Sequence, residues 1–79
     1  MRSQSISSVL ESILDNFFLV QKNANDVSGL YGMVIREAEY AVIKKTLKLT
    51  NRNKKQTAQI LGISRNKLNS KIKFLKLEE

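Results

Sequence analysis

Apolar residues recur at helical spacing along almost the whole of this 79-residue chain. In the first stretch Ile6, Val9, Leu10, Ile13, Leu14, Phe17 and Phe18 repeat in steps of three and one. That rhythm lines one face of a 3.6-residue helix and predicts a helix from Ser5 to Gln21. Ser8 and Glu11 have capping-box spacing, with Ser3 and Ser5 as alternative starts. Lys22-Asn23-Ala24-Asn25 is short and polar and reads as a turn. Asp26, with Ser28 as its competitor, then caps a second helix running to Leu49. Its stripe is Val27, Leu30, Tyr31, Val34, Ile35, Ala38, Ala41, Val42 and Leu47. Gly29 and Gly32 fall inside this helix beside the stripe, where each costs ~1 kcal/mol against alanine. They are either tolerated near a frayed helix start or admit close approach by another helix, and their place beside the stripe favours the second.

Thr50-Asn51-Arg52 ends the second helix. Asn53 caps a third over 54–61, Gly62-Ile63 turns, and Ser64 caps a fourth over 65–76. Leu68, Ile72 and Leu75 face inward in the last helix. No proline and no strand-like alternation interrupts the pattern. The fold class is therefore all-α with four helices: two long ones over residues 1–50 and two short ones over 51–79.

The rear pair has the spacing of a helix-turn-helix. Ala58 is followed four residues later by Gly62, and six after that by Leu68. A small residue lets the second helix cross close to the first, and glycine accepts the left-handed backbone where the first helix stops. The leucine anchors the second helix, the one that lies in a DNA major groove in this motif.

Charge sharpens the reading. Residues 1–40 carry three basic against five acidic side chains, a net −2, whereas residues 41–79 carry eleven against two, a net +9. A basic half beside a mildly acidic one is the footprint of a polyanion binder with a separate structural part. Helical spacing puts Asn66, Asn69, Ser70 and Lys73 opposite the inward residues of the fourth helix. Arg65 sits at its N-terminal end, the end that meets base edges, and arginine suits a bidentate contact with guanine. Lys67, Lys71 and Lys76 flank that face and suit phosphates. Ser64 at one helix start, and Asn53 with Lys54 and Lys55 at the other, expose backbone N–H groups that suit phosphate oxygens.

The chain has no cysteine and no histidine, so it lacks a disulfide framework, the commonest metal ligands and the commonest general base. Its carboxylates are scattered. No enzyme activity, cofactor or metal is expected. No signal-peptide pattern or long apolar run occurs, which fits a cytoplasmic protein with no membrane role. A domain this small is marginal alone. The front helices are also more apolar than the rear pair can cover, leaving Phe17, Phe18 or Tyr31 in search of a partner. A second copy is the economical one. Ile13, Phe17, Phe18, Leu30, Tyr31 and Val34 are the candidate dimer contacts.

Lys71 stands where general helix-turn-helix patterns often have a hydrophobe, and Ile72 takes the inward role. Together with N-K-K-Q-T-A-Q-I-L-G-I-S-R, this resembles the Fis family and the Fis-type domain that ends many enhancer-binding activators. F-F-L-V-Q-K-N-A-N-D-V-S-G-L-Y is similar to the turn between the first two Fis helices. The resemblance covers residues 8–76, which favours a free-standing protein over a domain cut from an activator, and Met1 agrees. It implies an intertwined homodimer that bends double-stranded DNA, with sequence preference set partly by deformability. It also implies a nucleoid-associated regulator of transcription. By the same resemblance Arg65 is the principal base-contacting residue. Asn53, Lys55, Ser64, Lys67 and Lys71 match positions on backbone or groove edge. Asn69 and Ser70 depart, since the family has basic residues there. The family's N-terminal arm activates recombinases, and only a few residues precede the first helix, which makes recombinase activation doubtful. Two other readings stay open: a helical protein-interaction module with a basic tail, and the DNA-binding end of an activator.

Overall fold

The computed structural model describes residues 5–20 and 29–78, with the side chain of Val20 left aside. Among the described residues there are four helices and no strand: α1 (Ile6–Val20), α2 (Leu30–Leu49), α3 (Lys54–Leu61) and α4 (Arg65–Phe74). The chain divides into two compact units, residues 1–30 and 31–79.

The first unit contains α1. Ser5 starts it, its Oγ accepting the Ser8 backbone N–H at 3.1 Å. Ser8 therefore lies inside the first turn and is not the cap its spacing to Glu11 offers. The apolar stripe is well formed yet open to solvent: Ile6, Val9, Ile13, Phe18 and Leu19 are all exposed. Phe17 and Phe18 meet edge to face with ring centroids 5.6 Å apart.

The second unit holds nearly all of α2 with α3 and α4. Its core is Ile43 and Leu47 from α2, Ala58 from α3, and Leu68 and Ile72 from α4. Leu61, Ile63, Leu75 and Leu77 close its margins. Ala58 is buried, as a close helix crossing requires. Removing Leu68 or Ile72 from water is worth about 1.5–3 kcal/mol each. Beside the apolar cluster, Thr50 and Thr57 pair their hydroxyls at 2.7 Å, out of solvent. Hydrophobic periodicity does not register such a pair.

Three helix ends share one geometry. At the end of α3, Gly62 has φ +74°, and the Ile63 N–H reaches back to the Ala58 carbonyl at 3.1 Å. At the end of α2, Asn51 has φ +57° and the Arg52 N–H bonds the Leu47 carbonyl at 2.7 Å. After α4, Lys76 has φ +58° and the Leu77 N–H bonds the Ile72 carbonyl at 2.9 Å. Each is a Schellman-type stop, in which a left-handed residue lets two N–H groups satisfy orphan carbonyls.

Two boundaries differ from the sequence reading. α2 begins at Leu30, and Gly29 precedes it with φ +71°, so Gly29 is not an interior helix residue. A Cβ at Gly29 would meet nothing within 4 Å, and one at Gly32 would meet only the Arg36 side chain at 3.5 Å. The α4 helix ends at Phe74 rather than Lys76, because Lys76 adopts the left-handed turn. Asp26, Val27, Ser28 and the predicted turn at 22–25 lie outside the described residues.

Candidate nucleic-acid interface

Two capped helices build the candidate interface. Asn53 has extended backbone, and its Oδ1 accepts the Gln56 N–H at 3.0 Å. Ser64 repeats the arrangement, its Oγ accepting the Lys67 N–H at 3.0 Å. Each cap satisfies one orphan donor. The N–H groups at the first two helical positions, Lys54 and Lys55 in α3 and Arg65 and Asn66 in α4, have no intrahelical acceptor. Both helix starts thus present N–H groups and the positive end of a helix dipole, and neither first turn contains an acidic residue.

The structure places most predicted contact residues in solvent. Asn53, Lys54, Lys55, Ser64, Arg65, Asn66, Lys67, Ser70 and Lys73 are all exposed. Leu68 and Ile72 are fully withdrawn beneath them. Burying the apolar side of α4 against α2 and α3 turns Asn66, Ser70 and Lys73 outward. Arg65 stands at the exposed N-terminal end.

Two residues behave differently from their neighbours. Asn69 is only half-exposed, and its Oδ1 is buried with no hydrogen-bond partner. It sits at the margin between the core and the outward face, about 100° from Leu68 around the helix. Helical spacing alone predicts a fully outward residue there. Lys71 is also half-exposed. Its Nζ lies 3.0 Å from Glu39 Oε2, so it bridges α4 to α2. The sequence offered Lys71 as a phosphate contact and gave no sign of this carboxylate.

The candidate dimer residues fall into two sets. Ile13, Phe18 and Tyr31 are exposed, Tyr31 at 82 %. Phe17, Leu30 and Val34 are half-buried. Among the described residues no group of three or more His, Cys, Asp or Glu is placed to hold a metal ion. No described helix is long and apolar enough to cross a membrane.

Comparison with known proteins agrees with this geometry. The family model for bacterial regulatory proteins of the Fis family matches residues 34–74, a span holding most of α2 and the whole of α3 and α4. DNA-binding protein Fis of Proteus vulgaris is 34 % identical over 64 residues, covering 81 % of this chain and 68 % of its own length. The DNA-binding transcriptional regulator NtrC of Azospirillum brasilense is 34 % identical over 77 residues, 98 % of this chain but 16 % of that protein. Its counterpart in Rhizobium meliloti is 38 % identical over 73 residues, 92 % of this chain and 15 % of its own. The chain thus spans only a small part of the NtrC regulators it matches.

Proposed function

We propose that this chain, which belongs to the Fis family of bacterial regulatory proteins, binds double-stranded DNA as a homodimer, bends it, and regulates transcription as a nucleoid-associated protein. One observation carries the reading: α4 exposes Arg65, Asn66, Ser70 and Lys73 while Leu68 and Ile72 hold its other side in the core. A helix so mounted has one polar face to offer a major groove. Arg65 reads base edges from its N-terminal end. Lys54, Lys55, Lys67, Lys73 and the N–H groups at the two helix starts take phosphates, which set register without reading sequence. Lys71 joins them once released from Glu39. A ten-residue recognition helix, fewer than three turns, contacts few base pairs, so two copies are needed for useful affinity. The exposed apolar side chains of α1 give a second copy apolar area to cover, and Tyr31 at the start of α2 gives another.

Size-exclusion chromatography of the intact chain, paired with gel shifts on circularly permuted DNA, tests this. A dimer whose complexes migrate according to the position of the site is the expected result. A monomer, or complexes whose mobility ignores site position, would remove the dimer or the bend.

A second reading has its own support. The NtrC regulators match nearly the whole chain within a small part of their own length. On that reading the same α3–α4 chemistry serves a larger activator. Binding confined to defined paired sites, with no shift of random duplex at low salt, favours it over the nucleoid role.

A further inference from the structure

Three of the eleven basic residues in the positively charged half lie outside the helix-turn-helix, on α2: Lys44, Lys45 and Lys48. All three are exposed, and none pairs with a carboxylate among the described residues. Lys44 is held in place, its Nζ 5.3 Å from the centre of the Tyr40 ring. Lys44 and Lys48 are one turn apart and share a cleft of about 420 Å³ with Asn51, Arg52 and the edges of Leu47 and Leu77. Arg52 donates from Nη2 to the Leu77 carbonyl at 3.2 Å, which brings its charge to the same cleft.

The position of this group on α2 matters. Glu39 marks the side of α2 that meets the recognition helix, through Lys71. At about 100° per residue, Lys48 lies about 180°, Lys44 about 140° and Lys45 about 120° round the helix from Glu39. The lysines therefore face away from the side on which α4 presents Lys71. A duplex seated on α4 leaves them uncovered. The same outward side carries one acid, Glu37, two turns earlier, where Arg36 lies beside it. The local balance stays positive.

We propose that Lys44, Lys45 and Lys48 form a second, sequence-blind DNA surface that takes the phosphates of another duplex segment while the helix-turn-helix holds the first. The proposal rests on the DNA-binding reading above and adds to it the bridging of two duplexes. Lysines are point charges without the fork of arginine, so this surface neutralises phosphates and does not select bases.

The test is a two-duplex capture. Protein is bound to an immobilised duplex, excess is washed away, and a fluorescent random duplex is added over a range of salt. The full chain should retain the second duplex at low salt. The triple variant Lys44→Gln, Lys45→Gln, Lys48→Gln should bind the first duplex with the same site preference and lose capture of the second by about tenfold or more, with a shallower salt slope. Equal capture by the triple variant would overturn the proposal, as bridging would then run through the two recognition helices of a dimer. A wild-type chain that holds the first duplex but never the second would overturn it too. A chain that binds neither duplex would instead sink the DNA-binding reading itself. Circular dichroism of the variant checks the fold, which three exposed side chains do not support.

Discussion

Lys71 Nζ lies 3.0 Å from Glu39 Oε2, which ties the recognition helix to the long helix behind it. Both side chains are about a third exposed, 31 % and 30 %, so water screens the pair and its worth is at most ~1 kcal/mol. Its larger effect falls on DNA. On the proposed DNA-binding reading, the carboxylate occupies a cation that a phosphate would otherwise take and sets a negative charge beside it. Glu39→Gln should therefore lower stability by less than ~1 kcal/mol while tightening binding to specific and random duplex alike. Thermal unfolding and gel-shift titration read the two effects. Unchanged or weaker binding by a folded variant would mean that Lys71 does not face phosphate.

Lys71→Ala has the opposite consequence. It removes a cation and leaves the Glu39 charge unmatched, so all DNA should bind more weakly. In the Lys71→Ala background Glu39→Gln should tighten binding less than it does in the unaltered chain, because the two changes share one interaction. Strict additivity would show that the pair seen in the free protein has no bearing on the complex.

Much of this was legible beforehand, and the reasons are local. Asn53, Gly62 and Ser64 each act within a few residues of themselves, so type and spacing suffice to locate α3, the turn and α4. Leu68 and Ile72 were readable from helical periodicity. What escaped depends on distant partners. Glu39 is 32 positions from Lys71, and nothing in either segment announces the other. Asn69 is polar, and its spacing suggested an outward residue, but packing at the margin of α4 hides its Oδ1. The apolar stripe running past Gly29 predicts a helix through it. The positive φ of that glycine, which marks a boundary, leaves no periodic signature.

Arg65 carries the prediction about sequence reading. It is exposed at the start of α4, where a guanidinium reaches base edges. Arg65→Ala should cost about 1–3 kcal/mol of discrimination between a preferred site and random duplex, with a smaller loss on random DNA. Competition gel shifts with both duplexes measure the ratio. An equal loss on both would demote Arg65 to a phosphate contact.

The threonine pair predicts an asymmetry. Thr57 is fully buried, and its hydroxyl is 2.7 Å from that of Thr50. Thr50 has further acceptors, the Leu47 and Asn53 carbonyls, each at 3.3 Å. Thr50→Val thus strands the Thr57 hydroxyl and should cost about 1–3 kcal/mol. Thr57→Val leaves Thr50 with its carbonyls and should cost less. The double valine variant should cost less than the sum, since no hydroxyl is then left unmatched. Denaturant unfolding of the three variants decides it, and equal single costs would show that the pair is not the relevant contact.

The three left-handed helix ends give the last prediction, and it runs in both directions. Gly62 and Lys76 occupy equivalent positions with φ +74° and φ +58°, but only one of them is glycine. An L side chain in that region costs roughly 1–2 kcal/mol from the approach of Cβ to the following carbonyl. At Gly62 a Cβ would meet nothing within 4 Å, so Gly62→Ala is penalised by backbone conformation alone, by about 1 kcal/mol. Gly62→Asn should cost less, because asparagine tolerates this region. Lys76→Gly should do the reverse and stabilise the chain by up to ~1 kcal/mol, offset in part by the greater freedom of glycine in the unfolded state. In a domain of this size that amounts to a shift of several degrees in Tm. Thermal melts of the three variants under one buffer test the argument. If Gly62→Ala and Lys76→Gly moved Tm in the same direction, the equivalence of the two helix ends would be wrong.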